Sequence, residues 1–137
     1  MVPLEATNNA QVTQEIISNL RKSHSTRFMN VATHLLEFLL KTSEQFYKNK
    51  ECPLIDAVAA FYLIRPDLFK TRFIRVDVDT GSRNYSYGQT TCDLYEVTDR
   101  DKNVQVCYSL DHKGADVFWS HMIDALLKAN DVSKNIH

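Results

Sequence analysis

The sequence predicts a mixed α/β fold, in which three helices are followed by an antiparallel β meander of three strands and one closing helix. Apolar residues recur at helical spacing up to Ile64, alternate with polar residues from Ile74 to Leu110, and return to helical spacing after Gly114. The connections between the predicted strands are too short for the crossover helices that parallel strands require. With 137 residues, the chain has the usual size of one domain, so residues 1–137 are expected to share a single core.

Three helices are predicted in the first half of the chain. The first extends from about Thr13 to Lys22, with the Thr13 hydroxyl as its N-terminal cap. The second begins at Ser25 or Thr26, and the third follows Pro53 and ends before Pro66, because the residue that precedes a proline disfavours the helical conformation. The second helix has the clearest apolar stripe, the pattern of a helix with one face on a core. This stripe consists of Phe28, Val31, Ala32, Leu35, Leu36 and Leu39.

The strands and the closing helix occupy the second half. In the first predicted strand, apolar residues alternate with charged ones, which indicates one face in contact with water. The apolar set is Ile74, Val76 and Val78, and the charged set is Arg75, Asp77 and Asp79. The second strand is expected between Tyr87 and Tyr95, and the third between Val104 and Leu110. The final helix begins near Gly114, and we expect it to bury Ala115, Phe118, Trp119, Met122, Ile123 and Leu126.

Composition argues against several kinds of partner and compartment. The net charge of −1 provides no basic excess for binding a phosphate backbone, so nucleic acid is not expected as a partner. No apolar run reaches the roughly 18 residues of a membrane helix, and the first residues do not resemble a secretory signal. Three cysteines, an odd number with no CxxC pair, indicate reduced thiols and a cytoplasmic location.

Local patterns identify no complete catalytic or metal site. The five histidines are scattered, and neither a GxSxG elbow nor a glycine-rich phosphate loop is present. Cys107 is expected to pack in its strand as a small apolar residue. Asp77, Asp79, Asp99 and Asp101 lack the spacing of an EF-hand, so they are interpreted as solvated charges. No catalytic residue is therefore assigned from local pattern.

Asp56 lies in the first turn of the third predicted helix, within the stretch "CPLIDAV". A carboxylate at this position stabilises a helix by roughly 0.3–1 kcal/mol through the helix dipole. On the local pattern alone, this structural role is sufficient to explain Asp56.

Several collinear segments resemble the C-terminal portion of the inosine-uridine-preferring nucleoside hydrolases. "PLIDAVAAFYLIRPDLF" resembles a family segment that contains Pro, an apolar residue, His, Asp, a helix of small residues and a Pro-x-Leu-Phe turn. "GQTTCD", "NVQVCYSLD" and "FWSHMIDAL" are similar to two family strands and the closing helix, and "VPLEATNNAQVTQEI" is similar to the Pro-Leu-x-x-Thr-His junction. The resemblance implies a fold that is the C-terminal part of an open nucleoside-hydrolase-like sheet.

The family resemblance also implies an activity, the hydrolysis of the N-glycosidic bond of ribonucleosides to ribose and a free base. In this family a calcium ion held by aspartates orients the ribose hydroxyls and activates the attacking water. The substrate passes through an oxocarbenium-like state, and the departing base benefits from a proton.

Transferred residue by residue, the resemblance makes Asp56 the match to the family's C-terminal calcium-binding aspartate. Ile55 occupies the position of the family histidine that is associated with the leaving base. Asn8 replaces the histidine of the Thr-His junction, beside the matching Thr7. The aspartate-rich DxDxGxDD loop and the segment that binds the ribose have no counterpart in residues 1–137. Substrate-binding residues are therefore not assigned.

Three hypotheses remain at this stage. The preferred one is a truncated nucleoside hydrolase homologue with little or no activity alone. The second is a subunit that completes a hydrolase site with a partner chain and takes a nucleoside as substrate. The third is a small interaction module, which would form a homo-oligomer or bind another protein through apolar surface left uncovered by the missing strands.

Overall fold

The computed structural model describes residues 1–23, 26–48, 52–81 and 85–133. The described part of the chain contains helices, short 3-10 turns and strands. The helices are α1 (Gln14–Ser23), α2 (Arg27–Tyr47), α3 (Ile55–Ile64) and α4 (His112–Ser133). The 3-10 turns are Leu4–Thr7 and Pro66–Leu68, and the strands are β1 (Gln11–Val12), β2 (Cys52–Pro53), β3 (Phe69–Val78), β4 (Thr90–Asp93) and β5 (Val104–Leu110). The predicted mixed α/β class is confirmed.

The main sheet is open, with three strands in the order β4-β3-β5 and antiparallel pairing throughout. The antiparallel pairing is as predicted, but the order is not that of a meander, which would place β4 in the centre. The ten-residue β3 is long enough to pair with both neighbours. Its segment Phe69–Ile74 pairs with β5, and its segment Arg75–Val78 pairs with β4.

Two side chains explain why β5 crosses to the far edge of β3. After β4, the Asp93 carboxylate accepts hydrogen bonds from the backbone N–H groups of Val97 and Thr98, each at 2.9 Å, so the chain turns away from β4. The Asn103 side chain then bonds both backbone groups of Val76, accepting from its N–H at 2.8 Å and donating to its carbonyl at 2.9 Å. An amide that copies a backbone pairing in this way anchors the chain beside β3 just before β5 begins.

The core of the described chain lies on both faces of this sheet. One cluster joins α3, α4, the first 3-10 turn and β5, and its aromatic centre is Phe61, whose ring centroid lies 5.4 Å from that of Phe118 and 6.2 Å from that of Phe69. Cys107 is fully buried in this cluster, as predicted, and burial raises the pKa of its thiol. A smaller cluster on the other face is formed by Ile74, Val76 and Val106.

Helix α2 meets the expectation of a stripe packed on a core only in part. Val31 is 55% exposed and Leu35 is 64% exposed, whereas the buried residues of α2 are Met29, Thr33 and Ser43. A neighbouring face of the helix makes the contacts to α1 and α4. Two of the six stripe residues, Val31 and Leu35, are therefore on the surface of the described chain, and the other four are half-buried.

Helix α3 is apolar on all sides except for Asp56. Its buried side presents Val58 and Phe61 to the core. Its opposite side carries Leu63 and Ile64, which are 82% and 68% exposed. A helix that is apolar all round is normally enclosed by protein, so the exposed side of α3 has the composition of a surface that packs against further polypeptide.

Candidate active site

Two segments that are distant in sequence meet at the start of α3. Strand β1 pairs antiparallel with β2, with Gln11 opposite Pro53 and Val12 opposite Cys52. The Leu54 backbone N–H extends this ladder by donating to the Ala10 carbonyl at 3.2 Å. The junction containing Thr7 and Asn8 is thereby held beside the "PLID" segment. The sequence resemblance matched these two segments separately, and the fold brings them together.

The meeting point encloses a cavity of about 300 Å³. Both positions at which the resemblance places a histidine, Asn8 and Ile55, line this cavity. Its other lining residues are Leu4, Gln11, Ser43, Tyr47, Cys52 and Pro53. Neither Asn8 nor Ile55 has a group that titrates near neutral pH, so these two side chains cannot exchange a proton with a ligand as an imidazole can.

Thr7 has a structural role in this arrangement. Its side chain is fully buried, and its hydroxyl donates to the Leu4 carbonyl at 2.6 Å. The backbone N–H of Ala10 in turn donates to the Thr7 carbonyl at 2.9 Å. These bonds fix the tight turn that presents Asn8 to the cavity.

Gln11 is a polar lining residue that the sequence patterns did not single out. Its Nε2 donates to the Asn8 carbonyl at 2.6 Å, which orients the amide. Its Oε1 is buried without a hydrogen-bond partner in the described part of the chain. A buried acceptor with no partner is uncommon and costly, so Gln11 offers this cavity a hydrogen-bond acceptor that the described residues leave unused. Its position three residues after Asn8, in the matched segment, was the available signal.

Asp56 lies on the exposed side of α3, outside this cavity. It shares that side with Ala60, Leu63 and Ile64, at the helical spacing i, i+4, i+7 and i+8. The side chain of its neighbour Ile55 is 42% exposed and points to the cavity instead. The pair Ile55–Asp56 therefore marks the border between the cavity and the uncovered side of α3.

The described residues do not provide a calcium site on their own. Calcium takes about six to eight oxygen ligands, and no group of three or more His, Cys, Asp or Glu side chains converges anywhere in the described ranges. Asp56 accordingly cannot form such a site alone.

Of the other aspartates singled out in the sequence, Asp77 and Asp79 have structural partners, and Asp99 and Asp101 are exposed. Asp77 forms ion pairs with Arg75 at 2.5 Å and Arg100 at 3.2 Å, and the hydrogen bond from Arg75 lowers the pKa of Asp77. Asp79 accepts the backbone N–H of Gly81 at 2.8 Å at the end of β3. These carboxylates stabilise turns and strand ends and are separate from Asp56.

Asp93, the aspartate of the "GQTTCD" segment, also has a structural role in this chain. The Thr98 hydroxyl donates to its carboxylate at 2.7 Å, in addition to two backbone N–H groups. This hydrogen bond, together with those from the Thr98 and Val97 backbone, lowers the pKa of Asp93 to about 2. Asp93 therefore remains ionised at physiological pH and holds the loop after β4.

Comparison with known proteins identifies the family. The sequence model of the inosine-uridine preferring nucleoside hydrolases matches residues 1–119. The chain belongs to this family. A probable ribonucleoside hydrolase of Dictyostelium discoideum is 35% identical over 131 residues, which are 92% of this chain and 37% of that protein. A pyrimidine-specific ribonucleoside hydrolase of Shigella flexneri serotype 5b is 31% identical over 119 residues, 87% of this chain and 36% of that protein.

Solved structures of nucleoside hydrolases share the fold. The purine-preferring ribonucleoside hydrolase of Gardnerella vaginalis superposes with a TM-score of 0.75 at 23% identity, covering 94% of this chain and 40% of that chain. The chain thus spans little more than a third of the length of the curated nucleoside hydrolases it matches. None of the helices in the described ranges has both the length and the apolar character needed to cross a bilayer.

Proposed function

We propose that residues 1–137 are a single partial ribonucleoside hydrolase domain with little or no activity alone. The observation that carries this proposal is the combination of family membership over residues 1–119 with a share of only 37% of a relative's length. The isolated carboxylate of Asp56 and the apolar Ile55 support it, because neither residue can complete a hydrolytic site by itself.

The reaction proposed for the complete site adds water across the N-glycosidic bond. The bond between the ribose anomeric carbon and the base nitrogen breaks, a water oxygen bonds to that carbon, and a proton reaches the departing base. Negative charge near the ribose stabilises the oxocarbenium-like state, and the carboxylate of Asp56 contributes such charge. Ile55 can supply no proton to the base, so another group has to do so.

Calcium is the proposed cofactor, and Asp56 is its proposed ligand in this chain. When bound, the ion supplies an activated water. The remaining oxygen ligands are expected from polypeptide that covers the exposed side of α3, because no group of three or more His, Cys, Asp or Glu side chains converges within the described residues. The uncovered residues Ala60, Leu63 and Ile64 favour such a covering segment, since they begin one turn after Asp56.

This surface favours an alternative function, a subunit that completes a hydrolase site with a partner chain and binds a nucleoside there. A simple interaction module is the other alternative, supported by Val31 and Leu35, the two exposed residues of the apolar stripe of α2. These two exposed residues favour a homo-oligomer or a protein partner for such a module. For either alternative, a cytoplasmic location is proposed from the three free thiols.

The experiment that tests the proposal measures the release of free base from inosine and uridine, with and without calcium. The full chain is assayed alone and after co-expression with the part of the Dictyostelium hydrolase that lies outside the match. We expect no calcium-dependent release from the chain alone. Calcium-dependent release by the lone chain at the rate of an intact hydrolase would refute the proposal, and release only in the co-expressed sample would favour the alternative of a completing subunit.

Two matched variants test whether the side of α3 that carries Asp56 is the covered surface. Leu63 and Val97 are 82% and 81% exposed, so replacing either by aspartate leaves the lone chain folded. Leu63→Asp should reduce association with the co-expressed hydrolase portion at least tenfold, because a charge would be buried against apolar surface. Val97→Asp, in the loop after β4, should leave association unchanged. Equal effects of both substitutions would contradict the assignment of this surface.

A further inference from the structure

A second cavity lies on the sheet, under the connection between β4 and β5. This connection, residues 94–103, is called the crossing segment here, because β4 and β5 flank β3 on opposite sides and the chain has to cross β3 between them. At its start, Leu94 and Tyr95 line a cavity of about 680 Å³ together with residues of β3 and β5. All lining residues lie between Thr71 and Tyr108, so one continuous part of the chain builds this cavity.

The cavity has an apolar floor and an aromatic rim. Ile74 and Val106 form the floor, and both are buried. Tyr95 and Tyr108 form the rim, and both are exposed. Within the described ranges, neither phenol oxygen has a hydrogen-bond partner. Small-molecule sites typically have volumes of roughly 300–1,000 Å³ and an apolar lining with a few polar groups, and this cavity has both properties.

Arg72 provides a positive charge beside the apolar floor. Its Nη1 donates to the Leu94 carbonyl at 2.7 Å, and its Nη2 donates to the Glu96 carboxylate at 3.0 Å. Glu96 also accepts a hydrogen bond from Lys102 at 2.7 Å. Two cations therefore share one carboxylate, which leaves one positive charge of this group without a partner. A guanidinium has five N–H donors, so Arg72 keeps donors for a ligand.

The crossing segment is held in a strained conformation. Glu96 has a φ of 55°, in the left-handed region that residues with a Cβ seldom adopt. The ion pairs with Arg72 and Lys102 fix its side chain, and the Asp93 carboxylate binds the backbone N–H groups that follow it. Strained residues that are fixed from several sides cluster at ligand sites. The conformation of Glu96 therefore favours a preformed cavity wall.

We propose that this cavity binds a small planar aromatic molecule that carries one carboxylate. The ring lies on the floor of Ile74 and Val106, where its burial removes apolar surface from water. The tyrosines of the rim add ring contacts. The carboxylate accepts hydrogen bonds from Arg72, whose planar guanidinium matches carboxylate geometry. A single carboxylate also matches the one uncompensated positive charge, whereas a phosphate monoester carries nearly two negative charges.

This site is separate from the cavity at the start of α3. The two cavities share no lining residue. The nucleosides of the proposed reaction carry no charge near neutral pH, whereas Arg72 selects an anion. The inference therefore goes beyond the proposed hydrolase function and holds or fails independently of base release.

The test titrates the isotope-labelled full chain with benzoate at low ionic strength, where charge pairing is least screened, and follows it by NMR. Benzamide provides the same ring without the charge, and acetate provides the charge without the ring. We expect saturable shifts of the backbone N–H signals of Tyr95 and Tyr108. Benzoate should bind at least tenfold more tightly than either control compound, because only benzoate uses both the floor and Arg72. Equal binding of benzoate and benzamide, or no saturable shift with benzoate, would overturn the inference.

Signals elsewhere in the chain distinguish this site from general attraction to exposed aromatic side chains. Tyr87 is exposed like Tyr108 but does not line the cavity, so its signal should stay unchanged. Shifts of Tyr87 with the same dependence on benzoate concentration would contradict the inference. Shifts of Tyr95 that grow with protein concentration in the absence of benzoate would assign the surface to contacts between copies of the chain, and would also overturn it.

Two matched variants isolate the charge of Arg72. Arg72→Gln removes it from the cavity, and Arg75→Gln removes an arginine of the same strand that does not line the cavity. Both arginines bond a carbonyl of the crossing segment, that of Leu94 and that of Asp101. We expect Arg72→Gln to weaken benzoate binding at least tenfold and Arg75→Gln to leave it nearly unchanged, and equal losses would contradict the inference. Should Arg72→Gln fail to fold, the comparison of benzoate with benzamide in the unmodified chain decides.

Discussion

Replacing Ile55 by histidine tests the chemistry of the cavity at the start of α3. Ile55 is 42% exposed, so more than half of its surface is already removed from water. Full burial of an isoleucine side chain is worth about 1.5–3 kcal/mol. Since an imidazole retains part of that packing, we expect Ile55→His to lower the free energy of unfolding by no more than about 1 kcal/mol.

The catalytic consequence of Ile55→His depends on the rest of the site. A positioned general acid contributes typically about 10²–10⁴-fold to a rate. In the chain alone we expect no gain, because one proton donor does not supply the missing calcium ligands. In the presence of the complementary hydrolase portion, we expect base release to rise within that range. An imidazole of ordinary pKa, about 6.5, should make the rate fall as pH rises through that value.

The assay measures free base from uridine and inosine, and denaturant unfolding monitors stability in parallel. Ile55→Gln serves as the matched control, since it introduces a polar side chain that cannot titrate. The reasoning would be refuted if Ile55→His made the lone chain active, or if the glutamine variant matched the histidine variant in the mixture.

Three further predictions concern the core, the loop after β4 and the metal ligand. Phe61→Ala should destabilise the chain by about 3–5 kcal/mol, a large part of the stability of an ordinary domain, and circular dichroism during denaturant titration would show it. Thr98→Val should raise the pKa of Asp93 from about 2 toward its usual range, as followed by NMR titration. The pKa of Asp93 is lower in the folded chain than in the unfolded chain, so its stabilisation of the fold is present above the unfolded pKa and is lost as pH falls toward 2. In the Thr98→Val variant, this loss on acidification should already occur at a higher pH. Asp56→Ala should leave calcium binding by the lone chain unchanged in calorimetry and weaken it only in the mixture.

The helices and the main strands were predictable because their signals are local. The third helix was predicted from its apolar period and from Pro66, before which it has to end. The structure has α3 at that place, Ile55–Ile64. The first helix was predicted from Thr13 to Lys22 and is observed as Gln14–Ser23. The final helix begins at His112, two residues before the predicted start at Gly114. These elements depend on residues close together in sequence.

The strand order and the exposure of Val31 and Leu35 in α2 were not predictable from period alone. Alternation located the second strand between Tyr87 and Tyr95, but β4 covers only Thr90–Asp93, because Asp93 ends it by binding the N–H groups of the following loop. The place of β5 depends on the bonds from Asn103 to β3, a contact between residues far apart in sequence. An apolar stripe shows that a helix face needs cover, without showing that the cover lies within residues 1–137.

For the site, the sequence resemblance identified Asp56, Ile55 and Asn8, and the fold added their spatial relation. The pairing of β1 with β2 explains how Asn8 and Ile55 come to line one cavity. Gln11 was missed because a single glutamine carries no pattern. Its unpaired Oε1 is visible only when the burial of that atom and its neighbours are known.

The central claim is that this chain carries one part of a ribonucleoside hydrolase site, and calcium-dependent base release tests it most directly. The account predicts that the full chain alone, with saturating uridine or inosine, releases base no faster in calcium than in a chelator. Calcium-dependent release by the lone chain, abolished by Asp56→Ala, would contradict the account, because residues 1–137 would then contain the whole site.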